Sequence, residues 1–161
     1  MSMSEIELII QDLYDKGIET LSKPLPGDLK AACLNFRMLE SNNSLEHSKF
    51  IIYDNSKIDN NHELKFEIAH EEMHLENPDT MYRLDDPYRI IKKKEYKCRR
   101  LVSRKYIPQD KLFNLIYVKK LQPYEIAEEL CLTEQLVQEA YDYYSCLESW
   151  INRKAKYLEE N

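Results

Sequence analysis

The most constraining feature of this chain is the pattern His-Glu-x-x-His at residues 70–74. Four residues advance an α-helix by about 400°, so His70 and His74 lie one turn apart on nearly the same helix face. Two imidazoles placed in this way can bind one metal ion. Glu71 lies about 100° further around the helix axis, where its carboxylate can reach a water molecule on that ion. The pattern therefore predicts a helix and indicates a zinc site on one face of it.

The surrounding sequence also predicts a helix, over residues 62–76. Asn61 is placed to cap the N-terminus, and Glu63 suits the positive first turn. One apolar stripe would face the core, and it consists of Leu64, Ile68 and Leu75. Because the five-residue pattern can also arise by chance on an exposed helix, the rest of the chain has to decide between the two interpretations.

Composition limits the class of protein. A chain of 161 residues is one domain, or one domain with a helical appendage, and two glycines argue against a β-sandwich or a phosphate-binding loop. The net charge of −6 does not favour nucleic-acid binding. There is no apolar run of about 20 residues and no visible signal peptide. The four scattered cysteines predict reduced thiols, so we expect a cytoplasmic protein without a membrane anchor.

The segment before the pattern predicts one helix and two strands. Ser4 and Glu7 form a capping box for a helix over residues 5–16. Residues 29–38 and 49–54 are short apolar runs on either side of a polar loop. We expect them to pair as antiparallel strands of a small sheet.

The segment after the pattern predicts a long helix over residues 88–106, following an irregular stretch at 77–88. One face of this helix is apolar and carries Ile91, Cys98, Val102 and Tyr106, yet Glu95 falls on the same face. A carboxylate in an apolar stripe is costly to bury unless it is paired or bound to a cation. Glu95 is therefore the expected third metal ligand, although Asp85, Asp86 and Glu76 remain alternatives.

Other charged side chains have plainer interpretations. Glu72 is expected to be a solvated neighbour of the site, and His47 and His62 to be ordinary surface histidines. The basic run at residues 92–105 is either a solvated helix face or a docking surface for an acidic substrate segment.

The C-terminal third predicts three helices. One spans residues 109–119, one begins near Pro123, and Thr133 caps a last long helix. The buried side of that last helix is expected to contain Leu136, Ala140, Tyr144, Leu147 and Ile151. The last two helices resemble a helix-turn-helix, but the outer face of the second would carry Glu134, Gln135, Gln138, Glu139 and Asp142. That face would repel phosphate, so the sequence does not favour DNA binding.

With these motifs in place, the sequence resembles the ImmA/IrrE family of zinc metallopeptidases from phages and mobile elements. The family's aHELgH helix corresponds to residues 69–74, and its E-x-x-A-[ND]-x-F-A helix corresponds without a gap to residues 95–102, with Pro108 after it. The chain departs from these motifs at Met73, Cys98, Arg99 and Leu101. Cys98 and Leu101 are plausible core replacements, whereas Arg99 removes a possible hydrogen-bond acceptor behind the metal ligands.

The resemblance implies an α+β fold. We expect a zincin-like minimal metallopeptidase domain over residues 1–108, with a small antiparallel sheet packed on helices, and a helical C-terminal extension over residues 109–161 packed on it. Zn²⁺ would be held by His70, His74 and Glu95. Glu71 would act as general base.

The implied function is limited proteolysis of a cytosolic protein, expected to be a helix-turn-helix repressor encoded nearby. Tyr96 and Tyr82 are candidates for stabilising the oxyanion. Two alternatives remain open at this point: a metal-binding regulatory protein without turnover, and a DNA-binding regulator that uses the helical tail.

Overall fold

The computed structural model describes residues 4–39, 45–81, 83 and 85–160, without the side chains of residues 36–39 and 45–47. In this part of the chain the protein is α+β. Its strands are β1 (Ile18–Ser22), β2 (Ala31–Leu39) and β3 (Leu45–Tyr53). Its α-helices are α1 (Glu5–Asp15), α2 (Asn61–Glu76), α3 (Tyr88–Tyr106), α4 (Gln109–Phe113), α5 (Pro123–Leu130), α6 (Glu134–Ser145) and α7 (Glu148–Glu160). Among these described helices, none is both long enough and apolar enough to cross a membrane.

The chain divides into two compact units, Met1–Cys98 and Arg99–Asn161. The first contains the sheet, α1, α2 and the first half of α3. The second contains the rest of α3 and the helices that follow it. The domain organisation expected from the sequence, with a core over residues 1–108 and an extension over 109–161, stays a prediction.

The sheet has the strand order β1-β3-β2. β2 and β3 pair antiparallel, as predicted, with Ala31 opposite Tyr53. The expectation of a purely antiparallel sheet is wrong, because β1 pairs parallel to β3, with Ile18 opposite Lys49. Parallel neighbours are joined by a long crossover, so the pairing leaves no local signal in the sequence. β1 is also short, and only Ile18 in it is buried.

Side-chain caps fix where α1 and α2 begin. The predicted capping box of α1 is confirmed: Glu7 accepts from the backbone N–H of Ser4 at 2.6 Å, and Ser4 Oγ accepts from the N–H of Glu7 at 3.3 Å. The cap of α2 is Asn60 and not Asn61, since the Asn60 side chain accepts from the N–H of Glu63 at 2.9 Å. The helix that carries the histidines thus begins one residue earlier than predicted.

Among the described residues of the first unit, an apolar core lies between the sheet and the helices, and it is formed by Leu13, Ile18, Ile51, Leu64, Ile68 and Leu75. Ion pairs also join α1 to α2. Lys65 Nζ pairs with Glu5, and Lys16 Nζ lies 2.7 Å from the Glu72 carboxylate. Glu72 is 1% exposed, so its interpretation as a solvated neighbour is wrong. A basic residue 56 positions earlier compensates its charge, and local sequence cannot show such a partner.

In the second unit, the predicted helix at 109–119 is present as α4 followed by a π-helical turn, Asn114–Val118. The last predicted helix is two helices, because α6 ends at Ser145 and α7 begins at Glu148. The break changes the helical phase. Trp150 is therefore buried at 1% exposure, whereas Ile151, expected on the buried side, is 54% exposed.

Replacing Trp150 by Ala should lower the free energy of unfolding by about 3–5 kcal/mol, the usual loss for a large buried aromatic side chain. The indole packs against an aromatic cluster that includes Phe113 at 5.2 Å and Tyr144, stacked at 6.1 Å between ring centroids. Denaturant unfolding followed by circular dichroism measures the change. Ile151→Ala is the matched control and should change stability by less than about 0.5 kcal/mol. Equal effects of the two substitutions would contradict this assignment of the core.

Candidate metal centre

The two histidines of α2 point to the same place. His70 Nε2 and His74 Nε2 are 3.2 Å apart, and both residues are buried. Their rings meet edge to face, with centroids 4.8 Å apart. This arrangement follows from the four-residue spacing, which puts both side chains on one helix face.

The first half of α3 adds Glu95 to this pair. Its Oε2 lies 2.9 Å from His70 Nε2, and its Oε1 lies 3.4 Å from His74 Nε2. Burial raises the pKa of Glu95, but the two imidazole rings beside the carboxylate outweigh burial and lower the pKa to about 2. The side chain is 34% exposed, so the cluster is open to solvent on the Glu95 side.

The other carboxylates considered as ligands have different partners. Asp86 accepts from Lys94 Nζ and from the backbone N–H of Arg83. Glu76 lies 3.9 Å from Lys16, and Asp85 is on the surface. Of the four candidates, the described structure therefore brings Glu95 to the histidines. Its role as a metal ligand stays a prediction.

Thr80 fixes the proton of His74. Its hydroxyl donates to the carbonyl oxygen of Asn77 at 2.7 Å, so Thr80 Oγ1 can only accept from His74 Nδ1, which lies 3.0 Å away. Neutral His74 therefore carries its proton on Nδ1 and turns the lone pair of Nε2 toward Glu95 and His70. Metal-binding histidines are typically held in this tautomer by a hydrogen bond of this kind. No sequence pattern predicted this role for Thr80, which lies in the short 3-10 turn at Pro78–Thr80 directly after α2.

Replacing Thr80 by Val keeps the shape of the side chain and removes the acceptor. We expect zinc affinity to fall by about 10–100-fold, the typical effect of losing a hydrogen-bond partner of a ligand. Competition with a metal chelator measures the affinity. Thr80→Ser retains the hydroxyl and should restore most of it. Unchanged affinity in the Val variant would show that the Thr80 hydrogen bond does not prepare His74 for metal.

The geometry of the cluster fits a metal ion. Two ligand atoms at 2.0–2.1 Å from a tetrahedral ion lie about 3.3–3.4 Å apart. His70 Nε2 and His74 Nε2 are 3.2 Å apart, and the two oxygens of the Glu95 carboxylate lie 2.9 Å from the first nitrogen and 3.4 Å from the second. Without a cation, the Glu95 carboxylate and the lone pair on His74 Nε2 are both hydrogen-bond acceptors. The proton on His70 Nε2 is then the donor that lies between them. A divalent cation at this point would satisfy all three groups.

One atom of the site has no partner in the described structure. His70 Nδ1 is buried and accepts or donates no hydrogen bond there. The resemblance led us to expect a missing acceptor behind the ligands, because Arg99 occupies the family's Asn or Asp position. Arg99 pairs with Glu139 in the second unit. An acceptor behind a metal-binding histidine strengthens metal binding, so its absence here should weaken the affinity for metal.

A thiol also lies at the cluster. Cys98 is fully buried, one helical turn beyond Glu95 on α3, and its Sγ donates to the backbone oxygen of His70 at 3.2 Å. Ligand atoms of Cys98, His70 and His74 all lie within 4.8 Å of one another. From the sequence, Cys98 is expected to be a core replacement. The spacing Glu-x-x-Cys on a helix was the available signal, because positions i and i+3 share a face.

Glu71 is half-buried, and the Cys33 thiol of β2 lies beside it. Burial raises the pKa of Cys33, and the negative charge of Glu71 raises it further. Tyr96 is 61% exposed and stays a candidate for the oxyanion, while Tyr82 and the side chain of His47 lie outside the described residues.

Comparison with protein-family models, with curated proteins and with solved structures finds no match to this chain.

Proposed function

We propose that the protein is a zinc-dependent peptidase in which His70, His74 and Glu95 hold the metal and Glu71 is the general base. The observation that carries this proposal is the convergence of two imidazole nitrogens and one carboxylate at ligand-to-ligand distances. Two histidines and one glutamate form a donor set typical of catalytic zinc sites, which keep one coordination position open. The partial exposure of Glu95 supports the same reading, because a substrate has to reach the site from solvent.

Each residue has a distinct task in this proposal. Zinc, when bound, supplies a Lewis acid that polarises the peptide carbonyl and acidifies water. The Glu71 carboxylate takes a proton from the attacking water and delivers it to the leaving amine. Thr80 holds the His74 proton on Nδ1, so that Nε2 keeps its lone pair. The carboxylate of Glu95 supplies one negative charge beside the two neutral rings.

The resemblance to the ImmA/IrrE family suggests the substrate. The motif pair at residues 69–74 and 95–102 supports membership of that family, whose members of this size act on a repressor encoded beside them. We therefore propose limited proteolysis of a cytoplasmic helix-turn-helix repressor of a phage or mobile element. An interface restricted to one groove favours a single partner over general degradation.

The test is incubation of the zinc-loaded protein with the repressor encoded next to its gene, and in parallel with casein. We expect cleavage of the repressor at one or a few sites by intact-mass analysis, loss of that cleavage with a chelator, and negligible digestion of casein. Efficient chelator-sensitive digestion of casein would contradict the proposed selectivity. If the zinc-loaded protein cleaves neither protein, the peptidase proposal is wrong.

The basic run of α3 contributes less free charge than its sequence suggests. Lys94 donates to the Met81 carbonyl and to Asp86, and Lys97 pairs with Asp79. In the second unit, Arg100 lies over the ring of Tyr143 at 4.2 Å. Electrostatic docking of an acidic segment would therefore depend on exposed side chains such as Lys93, and reversal of that charge tests it.

A second candidate is a metal-binding regulator without turnover. The buried thiol of Cys98 beside the histidines favours it, because a fourth protein ligand closes a zinc site. DNA binding has less support. The exposed face of α6 carries Glu134, Gln135, Gln138 and Asp142, and this acidic face would repel phosphate.

A further inference from the structure

The thiol of Cys98 lies where it can reach the same metal as the histidines. Its residue is 0% exposed, and its Sγ forms a group with ligand atoms of His70 and His74 in which all separations are within 4.8 Å. Glu95 and Cys98 are three residues apart on α3, so their side chains leave the helix on one face. That face is the one turned to the histidines, since Glu95 contacts both of them.

The distances indicate that Cys98 Sγ needs only a small displacement to coordinate the metal. Zinc–sulfur bonds are about 2.3 Å and zinc–nitrogen bonds about 2.0–2.1 Å, which places sulfur and nitrogen about 3.5 Å apart on a tetrahedral ion. A sulfur within 4.8 Å of one nitrogen of each ring needs a displacement on the order of 1 Å to reach this separation from that nitrogen. A change of the Cys98 side-chain torsion angle can supply it.

The thiol can lose its proton without leaving a buried group unpaired. Cys98 Sγ donates to the backbone oxygen of His70. That oxygen lies within α2, where carbonyls accept from the N–H four residues later, so the loss of the thiol proton leaves it with a partner.

We propose that Cys98 is a fourth protein ligand, which binds as a thiolate to the metal held by His70, His74 and Glu95. The inference rests on the metal centre of the proposed function and deepens it, because it makes the resting site closed. Binding forms one metal–sulfur bond, breaks the S–H bond and releases its proton to solvent. A substrate carbonyl or water must then displace the thiolate, so Cys98 restrains turnover until a specific partner binds.

The experiment replaces zinc by Co²⁺ and records the absorption spectrum of the full chain. Thiolate bound to Co²⁺ gives an intense near-ultraviolet charge-transfer band, which nitrogen and oxygen ligands do not give. We expect this band in the wild type and not in Cys98→Ala. Cys33→Ala is the matched control, since it removes the other cysteine near the site, and it should keep the band. Chelator competition should show weaker metal binding in Cys98→Ala by about tenfold or more.

The outcomes separate this inference from the proposed function. Wild-type Co²⁺ protein without the charge-transfer band, or with a band that survives in Cys98→Ala, overturns the thiolate ligand. Repressor cleavage by that protein would leave the peptidase proposal standing. A band that depends on Cys98, in a protein that cleaves no partner, would instead support the fourth ligand and refute the peptidase. Circular dichroism of both alanine variants verifies that they are folded.

Discussion

Glu71→Gln should abolish peptide cleavage while the fold and the metal content stay unchanged. The amide has nearly the shape of the carboxylate but cannot take a proton from water at neutral pH. General-base catalysis typically supplies 10²–10⁴-fold in rate, so the variant should retain less than about a hundredth of wild-type activity. Single-turnover cleavage of the repressor, followed by mass spectrometry, measures the change.

The matched control for this variant is Glu67→Gln. Glu67 lies one turn earlier on α2 and is also half-buried, where burial raises its pKa. It interacts electrostatically with His70 and Glu71 but is hydrogen-bonded to none of the proposed ligands among the described residues, so its amide should leave the cleavage rate within a few-fold of wild type. Equal loss in both variants would show that the acidic face of α2, and not proton transfer by Glu71, controls activity.

His74→Ala should remove the bound metal. It deletes one of the two nitrogens that converge at 3.2 Å, and it also leaves Thr80 Oγ1 without its donor. The loss of an outer partner alone typically costs 10–100-fold in affinity, so the loss of a ligand should cost more than about 100-fold. Elemental analysis after dialysis should find about one zinc per wild-type chain and a small fraction of that in the variant.

His62→Ala tests whether this effect is specific. His62 lies in the first turn of α2, about two turns before His70, and is half-buried. Its replacement should leave the zinc content at the wild-type value. Equal zinc content in wild type and His74→Ala would mean that the metal binds elsewhere in the chain.

The local parts of the structure could be predicted from the sequence. The bounds of α1, α2 and α3 follow from caps, apolar spacing and Pro108, because helix signals act within a few residues. The convergence of His70 and His74 follows from helix geometry alone. Glu95 could be named because a carboxylate within an apolar stripe needs a partner, and that argument holds wherever the partner lies.

The structural features that the sequence did not predict depend on residues far away in the chain or on the direction of a proton. The parallel pairing of β1 and the neutralisation of Glu72 by Lys16 each join segments that are far apart in the chain. Thr80 was overlooked because its role depends on the direction of a hydroxyl proton, which residue types do not show.

The order in which the site assembles follows from how far apart its parts are in the chain. Thr80 is six residues from its partner His74, whereas Glu95 is 25 residues from its partner His70. Loop-closure entropy grows as (3/2)RT ln n, so the longer closure costs about 1.3 kcal/mol more. The helix and its following turn can therefore orient His74 early in folding. The carboxylate and the thiol arrive only when α3 reaches α2, and metal capture becomes a late step that reports completion of the first unit.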